Sequence, residues 1–268
     1  MHLPFSKYHG TGNDFILVDG RLLSKPLNSG LMALLCHRHM GIGADGLIIV
    51  KPSADLQVDY IMEYFNADGK EGSMCGNGAR CAFQFAQRIG LAWTKANFLA
   101  YDGRHEAQSE EGNVSVSMRD VSGIEQRSEN TFILDTGSPH FVRFVDDVGS
   151  VDVFPTGREI RFSEEFNEKG INVNFAQSLH DAVRVRTYER GVEDITMSCG
   201  TGVAAVALAF ALKNHLTKGP LDVIADGGRL VVNFEREGQN FVEISLKGPV
   251  VHVFDGSVET DHVEIPET

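Results

Sequence analysis

Two patterns alternate along this chain. Short runs that are apolar at every second position, or apolar throughout, read as strands: about Phe15–Val18, Leu47–Val50, Tyr60–Phe65, Val114–Ser117, Phe132–Asp135, Phe141–Val145, Asn172–Ala176, Val183–Tyr188, Val242–Ser245 and Val250–Phe254, with further strands ending at Tyr101 and Ala225. Helical spacing predicts one helix over about Ser29–His39, stopped by Gly41. A second runs from just after Cys75 to about Ile89, with Gly90 as its stop, and a third from just after Cys199 to about Leu212. Val203–Leu212 is apolar all round, so it reads as a buried central helix, too short to span a bilayer. A polar linker is predicted near Ser122–Asn130, a polar glycine-rich lid at Asp68–Ser73, and a short acidic tail from Glu259.

The pattern repeats itself. Ser73-Met74-Cys75-Gly76-Asn77-Gly78-Ala79-Arg80 recurs in reduced form as Met197-Ser198-Cys199-Gly200-Thr201-Gly202-Val203-Ala204. Each copy leads into a helix, a strand, a turn (Asp102-Gly103-Arg104 or Asp226-Gly227-Gly228-Arg229), a second strand, another glycine turn and an alternating strand. The period is about half the chain, too long for a solenoid repeat. The reading is an α+β fold of two pseudo-symmetric halves facing one another across a cleft.

Each copy places a cysteine before Gly-x-Gly at a helix start. A helix N-terminus carries unpaired N–H groups and the positive end of the dipole, which favours an anion and pushes a thiol toward thiolate. Two thiols on opposite faces of one carbon suit inversion: one takes a proton, the other returns one.

Composition narrows the class. The chain has 268 residues, 42% hydrophobic and 23% charged, with a net charge of −13, which argues against nucleic acid and anionic membranes as partners. No signal peptide is read at the N-terminus. Four cysteines, at 36, 75, 81 and 199, fit neither a disulfide scaffold nor a common zinc motif, so free thiols in a reducing cytoplasm are expected and no metal site is read. Cys36 and Cys81 read as packing. A dithiol oxidoreductase would want a short Cys-x-x-Cys pair, which is missing, and no lysine sits in a recognisable pyridoxal phosphate context.

Several further motifs, in order, resemble the diaminopimelate epimerase family over nearly the whole chain: Lys7-Tyr8-His9-Gly10-Thr11-Gly12-Asn13-Asp14-Phe15, Gly41-Ile42-Gly43-Ala44-Asp45-Gly46, Phe65-Asn66-Ala67-Asp68-Gly69 running into the first cysteine stretch, and Tyr188-Glu189-Arg190-Gly191 running into the second. The resemblance implies that each half is a mixed sheet or barrel wrapped around its central helix. The N-terminal half would comprise residues 1–121 plus about 252–268, the last strand returning to it, and the C-terminal half residues 122–251. It also implies a cofactor-free interconversion of LL- and meso-diaminopimelate, a small-molecule substrate, serving lysine and peptidoglycan precursor synthesis in a cytoplasmic homodimer. Cys75 and Cys199 would be base and acid. Asn13, Asn66, Gly76, Asn77, Asn172, Glu189, Arg190, Gly200 and Thr201 would bind substrate, with His140 and Ser138 in support. Three departures stand out: Ser138-Pro139-His140 where members commonly carry Asn-Pro-His, Gly46 where some carry glutamine, and a loop after Gly191 one residue longer than the commoner form. A proline or hydroxyproline racemase is the nearest alternative; Asn66, Asn172 and Arg190 favour a longer, doubly charged substrate.

Overall fold

The structure is a computed structural model and describes residues 2–260. The chain forms two compact units: residues up to Val116 together with those from Pro249, and Ser117–Gly248.

The first unit runs β1 (His2–Gly10), β2 (Asn13–Asp19), α1 (Ser29–Cys36), β3 (Gly46–Pro52), β4 (Tyr60–Asn66), α2 (Gly76–Arg88), β5 (Lys95–Ala100), β6 (Gly103–Glu110) and β7 (Asn113–Ser117). The second contains β8 (Glu125–Ser128), β9 (Thr131–Asp135), β10 (Pro139–Phe144), α3 (Val153–Arg161), β11 (Asn172–Ser178), β12 (Ala182–Glu189), β13 (Asp194–Thr196), α4 (Gly200–Lys213), β14 (Leu221–Ala225), β15 (Gly228–Glu237) and β16 (Asn240–Gly248). β17 (Val251–Glu259) then pairs antiparallel with β1 and so belongs to the first unit. Of the tail expected from Glu259, Glu259 itself closes β17, with its carboxylate 2.9 Å from His2 Nδ1, and residues beyond Thr260 lie outside the described ones.

The duplication is a duplication of topology. The first unit orders its strands β17-β1-β2-β3-β4-β5-β6-β7, with β2–β3 and β4–β5 parallel and the other neighbours antiparallel. The second orders them β8-β9-β10-β11-β12-β14-β15-β16, with β10–β11 and β12–β14 parallel and the rest antiparallel. Position by position the senses match. Each sheet packs on its own helix: α2 on β1, β2, β3, β4 and β6, and α4 on β9 to β12 and β14 to β16. Val203–Ala209 is buried without a break, as its all-round apolar pattern predicts.

Several local expectations change. β1 carries buried Ser6 and Lys7 and a proline, so it shows no clean alternation; Lys7 is accommodated by an ion pair with Asp14 at 2.7 Å. The helix expected to reach His39 ends at Cys36, because the chain folds back and Ile42 and Gly43 donate to the Leu35 carbonyl at 2.9 and 3.0 Å. Gly41 is the stop for a steric reason: a Cβ there would sit 2.0 Å from the Leu34 oxygen. The linker expected at Ser122–Asn130 contains β8, a fully exposed strand with no apolar face to betray it. α3 is hidden in sequence by Pro155 and Gly157; the proline lies in the first turn, where it is tolerated, and Gly157 leaves room for Tyr188, whose Cβ would be 2.5 Å from an added side chain.

Candidate active site

The first unit builds its cysteine site from a hairpin and a helix start. β1 and β2 join through Thr11 and Gly12, both at positive φ (51° and 84°), the geometry of a type I′ turn. This delivers Asn13 at the start of β2 beside the N-terminus of α2. Cys75 is the N-cap of α2, with φ −112° and ψ 112°, and its sulfur accepts from Gly78 N–H at 3.5 Å. The sulfur lies 3.7 Å from Asn13 Oδ1, which also accepts from Asn77 Nδ2 at 3.4 Å. Gly76 and Asn77 form the first turn and are buried.

The second unit repeats the backbone geometry of the cap, without the side-chain hydrogen bond to the helix that Cys75 makes. Cys199 is the N-cap of α4 with φ −107° and ψ 111°, within 5° of Cys75 in φ and 1° in ψ. Its sulfur lies 3.5 Å from Thr201 Oγ1, and the Thr201 carbonyl accepts from Thr136 Oγ1 at 2.9 Å. Gly200 and Thr201 are the first two residues of α4.

A polar cluster in the same unit collects the other predicted residues. β10 and β11 run parallel with His140 opposite Asn172. Asn172 Nδ2 donates to Ser138 Oγ at 3.1 Å and to the Pro139 carbonyl at 3.2 Å, and its Oδ1 accepts from Arg190 N–H at 2.9 Å. Arg190 Nη2 also donates to Ser138 Oγ, at 3.2 Å, and Nη1 to the Lys169 carbonyl at 2.9 Å. Glu189 closes β12 and accepts from Thr196 Oγ1 at 2.7 Å. His140 is fully buried; burial, helped by the Arg190 charge, pushes its pKa down to about 3, so the imidazole is neutral. Asn174 Nδ2 lies 3.2 Å from His140 Nδ1, while Nε2 has no hydrogen-bond partner among the described residues.

None of the four cysteines is in a disulfide. Burial raises the Cys36 thiol to about 12 and pushes Cys81 further up, so neither offers a thiolate at neutral pH. Among the described residues no group of three or more His, Cys, Asp or Glu is arranged to hold a metal.

The family model described as diaminopimelate epimerase matches residues 5–124 and 132–253. The diaminopimelate epimerase of Flavobacterium psychrophilum is 42% identical over 94% of this chain and 98% of its own. The chain belongs to the diaminopimelate epimerase family. Membership makes it an isomerase of the amino-acid epimerase type. Among solved structures, a phenazine biosynthesis protein of the PhzF family from Bacillus anthracis superposes with a TM-score of 0.74, at 15% identity, over 97% of this chain and 99% of its own. A hydroxyproline epimerase from Agrobacterium vitis gives 0.72, also at 15% identity, over 97% and 93%. These two share the fold: paired mixed sheets, each around one helix.

Against the family pattern, two departures acquire a physical reason. Gly46 is required here because a Cβ would come within 2.5 Å of the Tyr64 ring. Ser138 uses its oxygen to accept from both Asn172 and Arg190, so the shorter side chain anchors those two residues. The segment expected to act as a lid, Asp68–Ser73, is hydrogen-bonded to the end of β4: Asn66 N–H donates to the Lys70 carbonyl and Gly72 N–H to the Tyr64 carbonyl, each at 2.9 Å. Gly72 also presses on Tyr64, where a Cβ would meet the ring at 2.5 Å. Asn66 ends β4 opposite Gly46, exposed at the edge of this turn, and the contacts that join Asn13, Cys75 and Asn77 do not include it. Sequence reading missed Asn174, Thr136, Thr187 and Asp45. Asn174 was within reach: it stands two residues after Asn172 on a strand and so shares its face.

Proposed function

We propose that the protein interconverts LL- and meso-2,6-diaminopimelate without a cofactor, Cys75 and Cys199 acting as a base and acid pair on one Cα. One sulfur, as thiolate, removes the Cα proton; the other, as thiol, delivers its proton to the opposite face. Over one turnover a proton is lost and a proton gained by the substrate, and the two sulfurs exchange protonation states, so the reverse reaction uses them in swapped roles. The observation that carries this reading is the pair of thiols, neither in a disulfide, that stand at N-cap positions with nearly identical backbone angles, while burial raises the pKa of the other two cysteines.

The first-turn N–H groups after Gly76 and Gly200 supply donors for the charge that develops on the substrate carboxylate during proton removal. Asn13, Asn66 and Asn77 with the Cys75 turn, and Asn172, Glu189, Arg190 and Thr201 with the Cys199 turn, are the substrate-binding groups in this reading. Arg190 suits a carboxylate and Glu189 an ammonium, the two charges of a distal amino-acid centre. His140, neutral and buried, supports the wall through Asn174, and Ser138 holds Arg190 and Asn172. The product serves lysine and peptidoglycan precursor synthesis. Four thiols outside any disulfide support a cytoplasmic setting, and Val251 and Val253, exposed on the same side of β17, offer apolar surface for a homodimer. No described helix is long and apolar enough to cross a membrane.

Incubation with LL-diaminopimelate in deuterated water, with no cofactor added, tests the reaction. Deuterium entering Cα with inversion, and inversion lost in both Cys75→Ala and Cys199→Ala, is the expected result. Exchange with proline and none with diaminopimelate would move the protein to the racemase alternative, and exchange with neither would overturn catalysis.

A further inference from the structure

Behind the Cys75 sulfur stands an amide whose orientation is dictated by charge. Asn13 Nδ2 donates to Asp45 Oδ2 at 2.7 Å. A carboxylate only accepts, so the amide nitrogen of Asn13 must face Asp45 and its oxygen must face away, toward Cys75. The same logic acts one amide further on. Arg80 is fully buried, and its guanidinium, which only donates, gives Nη2–H to Asn77 Oδ1 at 2.9 Å; Thr11 Oγ1 lies 3.4 Å from the same oxygen. Asn77 must therefore turn its nitrogen away from Arg80, and that nitrogen donates to Asn13 Oδ1. Asp45 is itself held: its Oδ1 accepts from Arg38 Nη2 at 2.7 Å, and its Oδ2 also accepts from Asp14 N–H at 3.1 Å.

We propose that Asp45 is a positioning residue for Cys75, fixing the Asn13 amide so that its carbonyl oxygen, and not its N–H, faces the sulfur. A carbonyl oxygen at that place accepts from the S–H and repels a thiolate; an amide nitrogen would do the reverse. Asp45 thereby counters the helix N-terminus, which favours the thiolate through Gly78 N–H. The balance keeps Cys75 able to hold a proton, which a residue that must act as acid in one direction and base in the other requires. The inference rests on the two-thiol reading above. The other charged groups at this corner are Asp14 on β2, Lys7 on β1, Arg38 after α1 and Arg80 on α2, with Cys81 as a further titratable group in α2.

The test is the pH dependence of Cys75 alkylation by iodoacetamide in the full-length protein without substrate, read by peptide mass spectrometry. In Asp45→Ala the Asn13 amide loses the acceptor that holds its nitrogen and keeps only the long 3.4 Å bond from Asn77 Nδ2, and the midpoint of the rate–pH curve falls by about one pH unit. Asp45→Asn removes the charge and keeps a carbonyl oxygen for Asn13 Nδ2, so its midpoint returns to within about 0.3 units of the parent. Asp45→Ser, whose hydroxyl is too short to reach Asn13, repeats the alanine result independently. Asp45 is 40% exposed in its side chain, and circular dichroism verifies that the variants are folded. A midpoint unchanged in Asp45→Ala and Asp45→Ser overturns the proposal. So does an equal fall in Asp45→Asn, which would assign the effect to charge alone. Because no turnover is needed, failure here is separate from failure of the deuterium-exchange test.

Discussion

The carboxamide oxygen of Asn174 occupies the space a side chain on Gly202 would need: a Cβ at Gly202 would lie 2.6 Å from it and 3.4 Å from the Cys199 sulfur. That oxygen already accepts from Thr187 Oγ1 at 2.9 Å, and the Asn174 nitrogen donates to the Phe141 carbonyl at 3.0 Å, so Asn174 cannot step aside without breaking buried bonds. The glycine of the second Gly-x-Gly is thus fixed by a neighbour inside its own unit.

Gly202→Ala should therefore cost about 1–3 kcal/mol in denaturant unfolding and lower kcat/KM by displacing the start of α4. Gly78, its counterpart, would bring a Cβ to the Ile48 Cδ1 at 3.0 Å and to the Cys75 Cβ and the Met62 Cε, each at 3.5 Å. A side-chain methyl can yield, and alanine favours the helix, so Gly78→Ala should be milder by at least about 1 kcal/mol. Equal costs for the two would contradict this asymmetry.

His140 sets an acid limit. Its folded-state pKa is depressed to about 3, so the unfolded chain binds the proton first as pH falls. Stability from the neutral, buried imidazole is full above the unfolded value near 6.5 and is lost as pH drops toward 3, at up to about 1.4 kcal/mol per pH unit. Urea unfolding at pH 7, 5 and 4 should show this slope, and His140→Asn should flatten it. A variant with the parent's slope would place the acid sensitivity elsewhere.

Ser138 should matter for binding more than for chemistry. Its oxygen accepts from both Asn172 and Arg190, so Ser138→Ala leaves two donors without their shared acceptor. KM for diaminopimelate should rise about tenfold with kcat within about twofold. A fall in kcat at constant KM would point to a role in proton transfer instead.

Thiol chemistry should divide the cysteines into two pairs. Cys36 and Cys81 are 2% and 0% exposed and raised well above the usual thiol range, whereas Cys75 is half-buried and Cys199, though buried, keeps 7% exposure at a helix start, so alkylation of the folded protein at pH 8 should label Cys75 fastest, Cys199 more slowly and the other two not at all. Labelling of Cys81 under those conditions would mean that α2 opens.

What could be read in sequence was whatever repeats. Cys75 and Cys199 announce themselves because each precedes Gly-x-Gly and an apolar helix, and the matching turns Asp102-Gly103 and Asp226-Gly227 fix the frame of the duplication. The elements that escaped are those whose reason lies across space. β1 holds Lys7 in its buried stretch, which makes sense only beside Asp14; β8 has no buried face; α3 contains Gly157 because Tyr188 crowds it. In the site, Asn13 was legible from its motif, but Asp45, 32 residues later, becomes meaningful only when its carboxylate meets the Asn13 amide.

The matched strand orders have a consequence for how the molecule is made. In the second unit the outermost place, beside β9, is filled by β8, which is synthesised first; in the first unit the equivalent place, beside β1, is filled by β17, synthesised after everything else described. The unit that leaves the ribosome first is therefore the one that must wait, with one side of β1 lacking its partner until the rest of the chain has been translated, while the unit encoded in the middle can complete its sheet without interruption. A stop codon after Gly248 would spare every residue of the Cys199 unit and still strip the Cys75 unit of the strand that covers its hairpin.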